Sequence, residues 1–289
     1  FHENFHLPLI LERIASAQDM RGSMGHGYAV LYNLLFRLYD GGEPLLFDVQ
    51  RLFGSGAVVL LGVLAFELTG SGLTAFAASL LMAANPILAR LSASEDPVTP
   101  FVFLLLSGTL AVVLAVRLRD VPAGGRAPRW QPAFLVLQAA CAMALMAHLR
   151  SDFAVYALFP AALVGAMPGA VSRLRRIPAA WLGFALLLAS FWLVIPEVLR
   201  PDHDGFRLVT KPATLVDAIL GALDHRQPNR LVLFSAGITP PLLPVLAVAG
   251  FVVLFRTRPR LAASLLALCV VFSWLFLGSN GFPGTVRPQ

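Results

Sequence analysis

Charge is what this chain has least of. Only 13% of its residues are charged, against roughly a quarter in soluble globular domains. A surface clothed in water is therefore excluded. The 57% hydrophobic content and mean hydropathy of +0.75 describe an integral membrane protein. Cysteine is nearly absent, and Cys141 and Cys269 each sit inside an apolar run, where a thiol behaves as a small hydrophobe. That excludes a disulfide framework and a thiolate metal or redox motif. Lys211 is the sole lysine among 22 Lys and Arg residues. The net charge of +6 does not point to nucleic acid, because the arginines are scattered between apolar segments with no basic, aromatic-laced stretch. The opening residues carry no basic, then apolar, then small-residue targeting signal. The chain begins at Phe1 and reads as lacking its native start.

What is present is a series of apolar runs. A helix needs about 20 mainly apolar residues to cross the hydrocarbon core. Eight runs meet that measure or come close, at 50–69, 72–89, 98–117, 131–148, 152–171, 178–196, 239–256 and 260–278. A backbone in lipid must satisfy its own hydrogen bonds, so these are expected to be helices. The fold class is thus all-α, a polytopic membrane bundle. Its plan is an extracytoplasmic juxtamembrane segment (1–49), six spans (50–196), an outer loop (197–238), two more spans (239–278) and an outer tail (279–289).

Arginine sets the sidedness, because short loops rich in Arg and Lys stay cytoplasmic. The turns after the third, fifth and seventh runs hold Arg117, Arg119, Arg126, Arg129, Arg173, Arg175, Arg176, Arg256, Arg258 and Arg260, with Asp120 the one acid among them. The alternate loops carry Glu95, Asp96, Asp152, Glu197, Asp202, Asp204, Asp217 and Asp224. Those acids are expected to face outward, together with the opening FHENFH. Glu67, near a cytoplasmic helix end, is expected to snorkel.

Three outer segments have amphipathic spacing. Leu7, Ile10, Leu11 and Ile14 share one helical face. Residues 27–40, GYAVLYNLLFRLYD, place Asn33, Arg37 and Asp40 in a narrow polar stripe and suit an interfacial or re-entrant helix. TLVDAILGALD, 214–224, opens on Thr214 as a plausible N-cap. Such pieces would roof a cleft where lipid and water-borne substrates meet.

Several groups could do chemistry on that side. Glu3 beside His2 could act as general base for an acceptor hydroxyl, or could be a solvated terminus. Adding His6 does not make a zinc site, since H-E-x-x-x-H lacks the one-face i, i+4 histidine spacing. No metal or cofactor is expected, although a divalent cation stays open. Glu95 and Asp96 in RLSASEDP could bind an acceptor or cation, or share a proton. Equally, Ser94 could cap the next helix, with the acids in its first turn. Arg150 at the outer rim could grip a lipid phosphate in two-point fashion or simply snorkel. Lys211 and Arg207 are further phosphate partners or ordinary surface charge.

Residues 49–112, which include Arg51 before a run, the turn TGSG, Asn85-Pro86, and the outer Glu95 and Asp96, resemble the central hairpins of GT-C glycosyltransferases. The branch is that of the protein O-mannosyltransferases and the lipid A aminoarabinose transferase. The stretch from Arg150 to Pro160 is similar to the same family. The resemblance implies a first span upstream of Phe1, and further spans or a soluble domain after residue 289. It also implies an acidic pair opening the first outer loop. Here Glu3 matches the second acid while His2 stands where the first belongs.

On that resemblance the expected activity is transfer of a sugar from a polyprenyl-phosphate carrier to a lipid, glycan or protein acceptor. The reaction would occur on the outer face of the plasma (inner) membrane, among membrane lipids and without nucleic acid. Glu3, or His2, would take the acceptor's proton while Arg150, Arg90 and Lys211 steady the departing phosphate. A transporter, flippase, polymer ligase or non-catalytic assembly protein is the alternative. The spans have few ionisable residues at mid-depth, which counts against a transporter.

Overall fold

A computed structural model describes residues 26–39, 43–94, 97–118, 130–149, 156–198 and 242–278. Among these the regular structure is entirely helical, without a strand. The helices are α1 (His26–Tyr39), α2 (Glu43–Thr69), α3 (Gly72–Ala83), α4 (Pro86–Leu91), α5 (Val98–Leu118), α6 (Gln131–Leu149), α7 (Leu158–Ala166), α8 (Ala170–Arg175), α9 (Pro178–Val198), α10 (Leu242–Thr257) and α11 (Pro259–Gly278). Three stretches, Pro44–Thr69 within α2, α5 and α6, are long and apolar enough to cross a membrane. They mark the chain as a membrane protein. The helices α9 and α11 run to 21 and 20 residues.

Proline and glycine decide most boundaries. Helices α4, α9 and α11 each start on proline, whose missing N–H costs nothing in a first turn. The expected start of the first span at residue 50 moves back to Glu43. Asp48 and Arg51 interrupt the apolar run, yet they stand three residues apart on one exposed face and bond each other at 3.1 Å. Leu46 and Gln50 are buried on another face, so the helix tolerates both sets.

The run 72–89 is two helices and not one. Asn85 accepts the Leu88 N–H at 3.3 Å through its side chain, and Pro86 has no N–H to continue α3. The 12 residues of α3 reach about 18 Å, short of the roughly 30 Å hydrocarbon core. Among the described residues of the run 152–171, a single turn at 156–157 leads into the nine-residue α7. That helix stops ahead of Pro168 and Gly169, where Gly169 takes φ 70°.

Two compact units divide the chain, Phe1–Pro160 with Gly169–Ile195, and Ala161–Pro168 with Pro196–Gln289. In the first, α2 turns back through TGSG. Gly70 takes φ 74° there, and Ser71 accepts the Thr74 N–H at 3.2 Å to cap α3. Ser79 of α3 donates to the Val58 carbonyl at 3.2 Å, joining the two as an antiparallel hairpin. Helix α5 lies parallel to α2, with Phe53 and Phe103 rings 5.1 Å apart near one end and an Arg117–Glu67 ion pair of 2.6 Å at the other. Helix α6 returns antiparallel, so that Phe101 packs with Met143, Met146 and Leu149 while Ala115 packs with Val136. Helix α9 runs alongside α6 in the same direction, with Ala179 and Ala180 near Val136 and Ser190 near His148.

In the second unit, α10 and α11 pack on each other. They join through a tight turn in which the Arg258 N–H donates to Leu254 at 2.7 Å. Pro259 then starts α11, and Ala262 is fully buried.

Candidate functional site

The first unit has two chemically distinct ends. One gathers Arg117, Arg173, Arg175 and Arg176 around the small apolar cluster of Ala115, Val136 and Ile177 with Leu174. Glu67 belongs to this end, and it does more than snorkel. Its carboxylate accepts from Arg117 at 2.6 Å, and the same guanidinium also donates to the Glu67 carbonyl.

The other end buries uncharged polar and aromatic side chains, with Asp48, Arg51 and Arg90 exposed around them. Tyr28 and Tyr32 of α1 are fully buried, with ring centroids 4.7 Å apart. Gln50 of α2, also fully buried, donates to the Tyr28 hydroxyl at 3.2 Å. Helix α1 approaches α6 closely at Gly27, where a Cβ would stand 2.7 Å from the His148 carbonyl oxygen. The His148 ring meets the Ser190 hydroxyl at 2.9 Å. Phe101 and Tyr156 stack edge to face at 4.8 Å.

One buried hydroxyl at this end, Thr99 Oγ1, has no hydrogen-bond partner among the described residues, while the buried Tyr32 hydroxyl has that of Tyr28 beside it. An unmet buried hydroxyl is costly, and it is the kind of group a hydroxylated ligand or a water molecule satisfies. Burial raises the Tyr32 phenol well above its ordinary value, with the Tyr28 hydroxyl pulling the other way. Tyr32 is therefore a neutral donor across the working pH range.

Beside α2 a cleft of about 240 Å³ is lined by Arg51, Gly54, Ser55 and Val58 of α2, Ala83 of α3, Leu88 and Ala89 of α4, and Ser92. Gly54 makes the close approach possible, because a Cβ there would stand 2.9 Å from the Ser92 Cβ and 3.5 Å from the Thr99 methyl. Ser92 donates to the Leu88 carbonyl at 2.7 Å, while the Arg51 guanidinium and the Ser55 hydroxyl are exposed.

Of the residues expected to act, Arg90 is placed. It is exposed in the last turn of α4, between Ala89 and Ser92 of that cleft. His2, Glu3, Glu95, Asp96, Arg150 and Lys211 lie outside the described residues, as do the helices expected around Leu7 and after Thr214. Ser94 donates to the Leu91 carbonyl at 3.0 Å, toward α4. The tyrosine and glutamine group and the His148–Ser190 contact were not singled out from sequence. Their only signal there was the i, i+4 spacing of the two tyrosines, which core packing produces equally well. Among the described residues no group of three or more His, Cys, Asp or Glu side chains lies together. Comparison with family models, curated proteins and solved structures finds no match.

Proposed function

We propose that this chain is a membrane glycosyltransferase of GT-C type. It would move a sugar from a polyprenyl-phosphate carrier to an acceptor on the extracytoplasmic side of the plasma membrane. In this reading eight crossings are made by α2, the α3–α4 pair, α5, α6, the 152–171 segment containing α7, α9, α10 and α11. The arginine-bearing end faces the cytoplasm. Helix α1 lies at the outer interface, where its exposed Val30, Leu34 and Leu38 would meet lipid, four residues apart on one stripe.

The observation that carries the proposal is the separation of chemistry between the two ends. Arg117, Arg173, Arg175 and Arg176 collect at one end, while buried or half-buried hydroxyl, amide, imidazole and aromatic groups collect at the other, with Arg51 and Arg90 exposed beside them. A sugar is recognised by hydroxyl and amide hydrogen bonds against aromatic faces, and the second end supplies those groups. Helix directions support the sidedness. Helices α2 and α5 point one way, and α6 and α9 the other, as alternating crossings with α7 between α6 and α9 require. Glu3, with His2 beside it, is the proposed base, Glu95 and Asp96 hold the acceptor or a cation, and Arg150, Arg90 and Lys211 steady the phosphate.

The deciding experiment uses the purified chain in lipid vesicles with a radiolabelled polyprenyl-phosphate sugar and a panel of acceptors. Transfer should occur and should disappear in Glu3→Gln with folding intact. Cysteine labelling of Arg90→Cys and Arg175→Cys should report opposite faces. Flipping of the carrier without transfer would move the assignment to a flippase.

A further inference from the structure

The cleft beside α2 is a second feature, next to Arg90 but lined by other residues. Its volume of about 240 Å³ is below the roughly 300–1,000 Å³ of sites that enclose a drug-sized ligand. It is thus too small for a sugar phosphate together with an acceptor. Its lining mixes polar and apolar groups: Arg51 and Ser55, one turn apart on α2, and Ser92 are polar, while Val58, Ala83, Leu88 and Ala89 are apolar.

From Arg51 to Val58 is about 10 Å of helix rise. Arg51 itself stands about 10 Å inside the Pro44 end of a candidate span. A cation at that depth, with apolar groups beside it, matches an anion carrying a hydrocarbon chain. The guanidinium is 65% exposed and its partner is Asp48 at 3.1 Å, itself 68% exposed. Pairs this exposed hold weakly, and the planar fork leaves further N–H groups for a phosphate.

We propose that this cleft seats the phosphate of an anionic membrane glycerophospholipid. Arg51 and Ser55 hold the headgroup, and the first part of one acyl chain lies over Val58, Leu88 and Ala89. The occupant is a lipid and not a free phosphate, because most of the lining is apolar and the cleft opens beside exposed Leu52 and Val59, on a helix long enough to be lipid-bathed. The inference does not rest on the transferase reading. A transporter with the same fold would carry the same seat.

The test is native mass spectrometry of the full chain released from nanodiscs of equal phosphatidylglycerol and phosphatidylcholine. The wild type should retain phosphatidylglycerol in preference to phosphatidylcholine. Arg51→Ala should lower that retention by about tenfold, the loss of a charge-assisted phosphate contact, and Arg51→Lys should lower it less. Arg260→Ala, an exposed cation in the other unit, should not change it. Ala89→Trp fills the cleft from an exposed helical position and should remove the lipid with Arg51 intact, which covers the case in which Arg51→Ala does not fold. Equal retention by wild type and Ala89→Trp, or no preference for the anionic lipid, would overturn the proposal. So would displacement of the lipid by millimolar inorganic phosphate alone, which would assign the site to a soluble anion.

Discussion

The ion pair between α2 and α5 joins residues 50 positions apart, so it tests the parallel packing on which the two-ended bundle depends. The geometry predicts unequal consequences for the two partners. Arg117 donates both to the Glu67 carboxylate, at 2.6 Å, and to the Glu67 carbonyl. Glu67→Ala removes only the first contact. Arg117→Ala removes both and strands a carboxylate whose side chain is 20% exposed. A hydrogen bond to a charged group contributes about 1.5–3 kcal/mol, but Arg117 is 41% exposed, so solvent screening brings the figure toward the exposed-pair range of about 0.2–1 kcal/mol. The expected losses are about 1 kcal/mol for Glu67→Ala and about 2 kcal/mol for Arg117→Ala, with a coupling of about 1 kcal/mol in the double-mutant cycle. The assay is reversible unfolding in mixed micelles, followed by circular dichroism at low and high salt. Coupling should shrink as salt rises. Additive losses of equal size, with coupling below about 0.3 kcal/mol, would refute the pairing and with it the register of α2 against α5.

Tyr32→Phe removes a buried hydroxyl that interacts with that of Tyr28 and should lower stability by about 1 kcal/mol in the same unfolding assay. A gain would mean that the hydroxyl is unsatisfied. Because burial raises the phenol's pKa in the fold, the folded state binds its proton more tightly than the unfolded state does. Its contribution is therefore complete below the ordinary tyrosine value of about 10 and is lost as pH rises above it. Tyr32→Phe should flatten that alkaline decline. Gly54→Leu should drive α2 from Ser92 and Thr99, lowering stability by about 1–3 kcal/mol, whereas Gly72→Leu, with open space around it, should cost far less. Matching thermal shifts for the two variants would contradict the close approach at Gly54.

Local chemistry made much of the helical plan readable in advance. The lack of charge and the length of the apolar runs imposed helices, because a backbone in lipid has no other way to satisfy its polar groups. The helical reading of residues 27–40 and the turn at TGSG follow from side-chain spacing and from glycine, both properties of a few neighbouring residues. The break at Asn85-Pro86 was equally local and could have been read from proline, but the hydropathy of the surrounding run concealed it. The early start of α2 was hidden in the same way by Asp48 and Arg51.

The sequence by itself thus determined the class of the protein, an α-helical membrane chain, and the alternation of arginine-bearing with acid-bearing turns. Only the tertiary structure decided which side chains meet. Glu67 with Arg117, Tyr28 with Gln50, and His148 with Ser190 are separated by 50, 22 and 42 residues. The cleft walled by Arg51 and Ala89 depends on Gly54 letting α2 approach Ser92. Helix formation is written in neighbours a turn apart, whereas a partner from another helix depends on crossing direction, register and the steric room left by a glycine. Those are set jointly by all the packed elements.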